Sequence, residues 1–136
     1  MKTGLLLLLL NAPLVAAAQT LPVKTGAWET TTKSTALPRP LVVKDCVTKA
    51  DLSQLTAGPD KDDDEDCKLT KGPTIVGKTW TADRKCSDGR TVKAEFTAES
   101  QEKVAGIIVS TMPKGGPVVR VEVASKWLGS NCSGLK

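Results

Sequence analysis

The sequence predicts a mainly β domain: an antiparallel meander or partly closed half-barrel with one short helix and two disulfides. Three observations support this fold class. Apolar and polar residues alternate over residues 91–98 and 118–127, as in strands with one buried face. Turn-forming glycines and prolines separate such segments. Four cysteines can reinforce a domain whose size allows only a modest core.

Residues 1–18 are typical of a cleavable signal peptide. Lys2 provides a positive start, Leu5–Leu10 is an unbroken apolar run, and Ala16 and Ala18 fit the small-residue pattern of a cleavage site. The apolar stretch of about fourteen residues is shorter than the about twenty that span a bilayer. We expect cleavage after Ala18. This leaves one domain over residues 19–136, periplasmic or secreted, with no stable membrane anchor.

The amino-terminal part of the domain predicts one strand and one helix. Residues 26–34 are rich in β-branched threonine, which favours a strand. Pro38 and Pro40 then mark a loop. Thr48 is a suitable helix N-cap, and Asp51 three residues later gives a partial capping box. We therefore expect a strand, a loop and a short helix in this order.

A β-hairpin is predicted next. Residues 68–70 and 78–82 have the character of its two arms. Residues 72–77, with a glycine at each end, have the character of its turn. The arms would bring Cys67 and Cys86 close together, because opposed residues of neighbouring strands lie about 4.5–5.5 Å apart.

Three further strands are expected in the carboxyl-terminal half. An Asp-Gly turn at residues 87–90 leads into strand 91–98. Residues 103–112 carry apolar side chains on both faces, so this strand could be covered on both sides. A proline- and glycine-rich turn at residues 113–117 then precedes strand 118–127.

The cysteines are expected to form two disulfides, Cys67–Cys86 and Cys46–Cys132. Four cysteines allow three pairings, and sequence alone does not exclude the others; the strand pattern favours this one. No pair has C-x-x-C spacing and the chain has no histidine, which argues against a thioredoxin-like redox site and the usual Cys/His zinc sites. We expect neither a metal nor a cofactor.

The composition argues against catalysis. Without histidine or tyrosine, the common general bases and the Ser-His and Cys-His pairs are absent. Carboxylates could serve a hydrolase, but Glu29, Glu95 and Glu122 occupy polar strand positions. Loss of residues 1–18 lowers the formal charge from +4 to +3, because they hold one lysine and no acid. That mild charge is scattered, which argues against nucleic acid as a partner.

Residues 60–66 form an acidic run, six acids among seven residues. A calcium loop of the EF-hand type is excluded, because Glu65 stands where the sharp-turn glycine is needed and Lys71 where the bidentate glutamate is needed. We expect a solvated loop whose charges repel one another.

The aromatic residues are few: Trp28, Trp80, Trp127 and Phe96. Trp127 shares a face with valines and is expected in the core. Trp28 and Trp80 are candidates for a ligand pocket or an interface as well as for the core. The partner expected from this pattern is an unknown protein or a small apolar ligand.

Several short motifs, taken in order, resemble the exported bacterial domain-of-unknown-function family 3617. They are Lys-Thr-Gly-Ala-Trp-Glu at residues 24–29, a cysteine-led helix at 46–52, Cys-Lys-Leu-Thr at 67–70, Thr-Trp-Thr at 79–81 before Cys86, and Trp-Leu-Gly-Ser-Asn-Cys at 127–132. The family usually opens with Gly-Leu-Trp and closes with Asp-Cys, where this chain has Ala27 and Asn131. The resemblance spans nearly all of the mature chain. It implies a periplasmic address, strengthens the two-disulfide interpretation and implies no activity.

The sequence thus favours a non-catalytic exported envelope protein that acts as a binding or interaction module. One alternative is a carrier of a small apolar ligand or lipid on the inner face of a curved sheet. A carboxylate-dependent hydrolase using Glu95 or Glu122 is the other.

Overall fold

The computed structural model describes residues 20–55 and 66–135. The predicted signal peptide and the acidic residues 60–65 lie outside this range. Within it are one α-helix, α1 Lys49–Gln54, and one 3-10 turn at Pro113–Gly115. The seven strands are β1 Gly26–Ser34, β2 Leu41–Val47, β3 Cys67–Val76, β4 Thr79–Cys86, β5 Thr91–Ser100, β6 Lys103–Thr111 and β7 Val118–Gly129. Helix α1 is too short to span a membrane.

The seven strands form one unclosed antiparallel sheet in the order β2-β1-β7-β6-β5-β4-β3. Strands β3 to β7 are a meander, and β7 then pairs with β1 from the start of the domain. Among the described residues, strand β2 pairs only with β1. The predicted mainly β fold is confirmed, and β2 and β3 are the two edges of the sheet.

Strand β2 is not among the predicted elements. Leu41, Val42 and Val43 are three consecutive apolar residues, so the strand lacks the alternation that marks a half-buried one. The three side chains are 55%, 55% and 46% exposed. Residues 41–45 of this edge strand are all exposed, so no buried face imposes a period of two on them, and their sequence signal is correspondingly weak.

The β3–β4 hairpin has longer arms and a tighter turn than expected. It turns at Gly77, with φ 61°, and Val76 pairs with Thr79. Gly72 and Pro73, expected in the turn, lie within β3, where the register with β4 shifts between Lys71 and Thr74. Glycine and proline accompany both turns and strand irregularities, so residues 72–77 were wrongly predicted as the turn.

Side chains alternate across the sheet, so opposed residues share a face. We name the two faces by their composition. The apolar face carries Trp28, Trp80, Phe96 and Trp127, together with Val92, Val104, Ile108, Val119, Val121 and Val123. The polar face carries Glu29, Lys93, Glu95, Arg120, Glu122 and Lys126. The alternation predicted for β5 and β7 is confirmed.

The prediction that β6 is covered on both sides is wrong. Ile107 lies on the polar face, opposed by Glu95 on one side and Glu122 on the other, and it is 38% exposed. The sheet is a single layer, and within the described residues helix α1 and the segment before β1 lie on its other side. An apolar residue on the polar face is shielded only by its charged neighbours.

Most of the buried residues lie at the end of the sheet that carries Trp28. Trp28 is 3% exposed, and Leu21, which precedes the sheet, is 7% exposed. Small residues fill the inner positions of β4 and β5, where Ala82 and Ala98 are 5% and 1% exposed. The end of the apolar face near Val119 and Val121 is only half-buried.

Candidate functional site

Helix α1 is held at its start by a complete capping box. The Thr48 hydroxyl accepts a hydrogen bond from the Asp51 N–H at 3.2 Å, and the Asp51 carboxylate accepts one from the Thr48 N–H at 2.8 Å. The Thr48 backbone N–H, followed by its hydroxyl, lowers the pKa of Asp51. The predicted box thus fixes where the chain leaves β2 and enters the helix.

The residue that ends helix α1 is tied to a distant strand. The Leu55 carbonyl accepts a hydrogen bond from Trp80 Nε1 at 2.7 Å. Trp80 is on β4, and four strands separate β4 from β2 in the sheet. This bond anchors the end of the helical segment over the apolar face.

A cleft of about 230 Å³ lies beneath this segment. Its walls come from the helix, the residues before β1 and the apolar face. They are Leu21, Val23, Trp28, Thr30, Asp45, Val47, Asp51, Leu52, Leu55, Val104 and Ser125. The two hydroxyls among them, Thr30 Oγ1 and Ser125 Oγ, are 2.7 Å apart and hydrogen-bond each other. A group entering the cleft therefore meets mainly apolar surface.

The cleft suits a small apolar group. An apolar cavity of about 150 Å³ is sufficient for benzene in other proteins, so a ring or a short alkyl chain fits a cleft of about 230 Å³. Asp45 and Asp51, both exposed, place negative charge among its lining residues. The arrangement can bind an apolar group.

The structure brings Trp28, but not Trp80, to the cleft. The Trp28 ring is part of the lining, and its Nε1 donates to the Lys24 carbonyl at 2.9 Å. The Trp80 ring packs against Phe96 with 5.5 Å between centroids, and its N–H is used by Leu55. Both indole N–H groups are satisfied by backbone, so both tryptophans offer apolar surface rather than a hydrogen bond.

Trp127 lies opposite Trp28 on the apolar face and is half-buried. Its Nε1 donates to the Thr25 carbonyl at 3.0 Å. Lys24 Nζ lies 4.5 Å from the ring centroid and 2.8 Å from the Glu102 carboxylate. These contacts hold the segment before β1 against the sheet, so the wall that contains Leu21 stays in place.

The two disulfides are Cys46–Cys132 and Cys67–Cys86, as the strand pattern favoured. The second bridge joins directly opposed residues of β3 and β4. The first ties edge strand β2 to the residues after β7. No cysteine is among the residues that line the cleft, which indicates a structural role for both bridges.

The carboxylates considered for hydrolysis lie on the polar face. Glu29 stands between Lys126 at 3.3 Å and Lys44 at 3.9 Å. Glu122 is 3.5 Å from Arg120 Nε. Glu95 and Glu122 flank Ile107, with β6 between their strands. In the described part of the chain no group of three or more histidine, cysteine, aspartate or glutamate residues could hold a metal ion.

The polar face also has grooves, of about 360 Å³ and about 240 Å³. They run between charged side chains, such as Asp83, Lys93 and Glu95 in the first and Glu99, Lys103 and Lys126 in the second. Such grooves are bounded by solvated charges. The cleft beneath α1 combines a buried tryptophan with aliphatic walls, which is typical of a ligand site.

Several lining residues could not be recognised in the sequence. Thr30 and Ser125 are 95 residues apart and meet only because β1 pairs with β7. Leu21 and Val23 precede the first strand and carry no periodic signal. Leu52 lies within helix α1 and Leu55 is its C-cap. The side of the sheet that the helix covers is set by tertiary structure.

Comparison with known proteins identifies the family. The model of the family described as "Protein of unknown function (DUF3617)" matches residues 23–132. No curated protein matches the chain. Because the family match covers most of the sequence, the chain belongs to DUF3617, as the order of its motifs indicated.

Proposed function

We propose that this DUF3617 protein is an exported, non-catalytic binding module whose binding surface is the apolar face of its sheet. The observation that carries the proposal is the partial cover of that face. Beyond helix α1, Ile108, Val119, Val121 and Val123 are all half-buried. They form a contiguous apolar surface that is only partly covered, and contiguous accessible apolar surface marks interaction sites.

Burial across the described residues supports the same conclusion. None of their large side chains is less than 2% exposed. A fully enclosed core would bury several large aliphatic residues to that extent. The missing burial lies on the apolar face, where a partner would supply it.

Export is supported by the two disulfides, which are compatible with an oxidising compartment, and by the signal-peptide pattern of residues 1–18. The non-catalytic character is supported by composition, because the chain lacks histidine and tyrosine. It is also supported by the bridging of all four cysteines and by the surface ion pairs of Glu29 and Glu122.

Photocrosslinking in the envelope of the host organism tests the proposal. A photoreactive amino acid is placed at Val121, on the apolar face, and in a matched variant at Glu122, its neighbour on the polar face. We expect an adduct from position 121 and none from position 122. Adducts from position 122 alone, or equal adducts from both, would contradict the proposal.

The cleft favours a second candidate, a carrier of a small apolar ligand or lipid. Its walls are mainly apolar and its two hydroxyls are satisfied. Native mass spectrometry of unreduced protein from its host would reveal a bound molecule on a chain that begins at Gln19. Val104→Phe, which fills the cleft, should remove that molecule. Ile108→Phe, on the same face of β6 but outside the lining, should retain it.

A further inference from the structure

We propose that β2 is a dimerisation edge, on which β2 of a second copy of this chain pairs antiparallel with the register centred on Val42. The inference concerns the edge of the sheet. It stands independently of what the apolar face binds.

The two edges of the sheet differ in their protection. Strand β3 carries Lys68 and Lys71, and Pro73, which has no N–H to donate, lies where the register shifts. Lysine, proline and strand irregularities are the devices by which proteins block edge pairing. Strand β2 carries one lysine, Lys44, and directly follows Pro40, but residues 41–43 hold neither lysine nor proline, and the strand pairs with β1 without a register shift.

Strand β2 is regular and apolar at its start. Its register with β1 runs without a shift from Val47 to Leu41. Leu41 and Val43 lie on the apolar face and Val42 on the polar face, and all three are exposed. A regular edge with exposed apolar side chains and unpaired backbone groups is a template for another strand.

The sequence of this edge is self-complementary in one register. With Val42 opposite Val42 of the second copy, Leu41 comes level with Val43, so apolar side chains meet on both faces. Arg39, two residues before the strand, comes level with Asp45 of the second copy. The two-fold symmetry repeats the Leu41–Val43 and Arg39–Asp45 contacts, so each occurs twice.

Neighbouring registers are worse. Pairing centred on Val43 places Leu41 against Asp45 and Val42 against Lys44. Pairing centred on Lys44 places two lysines directly opposite each other, which is destabilising. Only the register centred on Val42 matches apolar with apolar residues and joins opposite charges at both ends.

The proposed dimer also extends the apolar face. Leu41 and Val43 of the two copies would lie side by side on the same face of a continuous fourteen-stranded sheet, twice the seven strands of one copy. A binding surface that ends at the edge of one copy would continue into the other.

Sedimentation equilibrium of the oxidised protein over a wide concentration series tests the proposal. The wild type is expected to approach twice the monomer mass. Val42→Lys places two lysines opposite each other and should raise the dissociation constant about tenfold or more. Val76→Lys is the matched control, because Val76 is 79% exposed on the other edge strand, and it should leave the constant unchanged.

A charge exchange tests the register itself. Arg39→Asp and Asp45→Arg should each weaken self-association. Each variant places two like charges opposite each other, at positions 39 and 45, at both ends of the paired strands. A mixture of the two variants should form a heterodimer, since every end pair is then Asp against Arg. A monomeric wild type, an unaffected Val42→Lys variant, or no heterodimer in the mixture would overturn the proposal.

Discussion

Removing the Cys46–Cys132 bridge should destabilise the fold more than removing Cys67–Cys86. The bridged cysteines are 86 and 19 residues apart. On the chain-entropy model, closing loops of these lengths stabilises the native state by about 4.6 and about 3.3 kcal/mol. The expected difference is about 1.3 kcal/mol. Either loss is a large part of the about 5–15 kcal/mol that stabilises a typical domain.

Local burial predicts the opposite order. Cys67 and Cys86 are 7% and 4% exposed, and Arg90 Nη2 lies 3.9 and 3.7 Å from their sulfurs. Cys46 and Cys132 are only half-buried. If packing around the bridge outweighed loop entropy, loss of the buried Cys67–Cys86 bridge would cost more.

The assay is urea unfolding of two paired variants, Cys46→Ala/Cys132→Ala and Cys67→Ala/Cys86→Ala. Circular dichroism follows unfolding, and intact mass confirms that the other bridge is closed. We expect the first variant to have the lower free energy of unfolding. An equal or lower value for the second would refute the loop-entropy argument.

Four further predictions concern helix α1 and the sheet. Thr48→Ala should cost about 1 kcal/mol in urea unfolding, because it removes the side-chain half of the capping box. Since Thr48 lowers the pKa of Asp51, the contribution of Asp51 to the free energy of unfolding should be complete above the ordinary pKa of 3.8. That contribution should be lost as the pH falls through the lower pKa of the folded state. An Asp51→Asn variant whose free energy of unfolding depends on acid pH as the wild type's does would contradict this. Trp80→Phe, which breaks the Leu55 bond, should cost about 1 kcal/mol and speed amide exchange in α1, whereas Trp127→Phe should leave exchange in α1 unchanged. Gly106→Ala should cost about 1–3 kcal/mol by overpacking, because the added methyl meets the Phe96 ring, and Phe96→Leu should reduce that cost.

The sequence predicts the elements that have a buried face. Strands β5 and β7 alternate because one side of each faces the apolar core. The Thr48 and Asp51 spacing predicts helix α1 because capping is local. The Cys67–Cys86 bridge follows from a hairpin whose arms are close in the chain.

Features fixed by distant contacts were not predictable. Residues 41–45 of strand β2 are exposed and therefore show no alternation. The irregularity in strand β3 at Gly72 and Pro73 has the residue composition of a turn, so the sequence does not distinguish the two. The cleft arises because Trp80, on β4, hydrogen-bonds the Leu55 carbonyl, and nothing near either residue in the sequence indicates that contact.

The central claim is that the apolar face is the binding surface, and methyl NMR of valine-labelled protein tests it most directly. Val119, Val121 and Val123 report on the apolar face, and Val109 and Val118 on the polar face. On titration with a soluble extract of the host's envelope, we expect shifts of the first group only. Shifts confined to Val109 and Val118, or no shifts in either group, would contradict the claim.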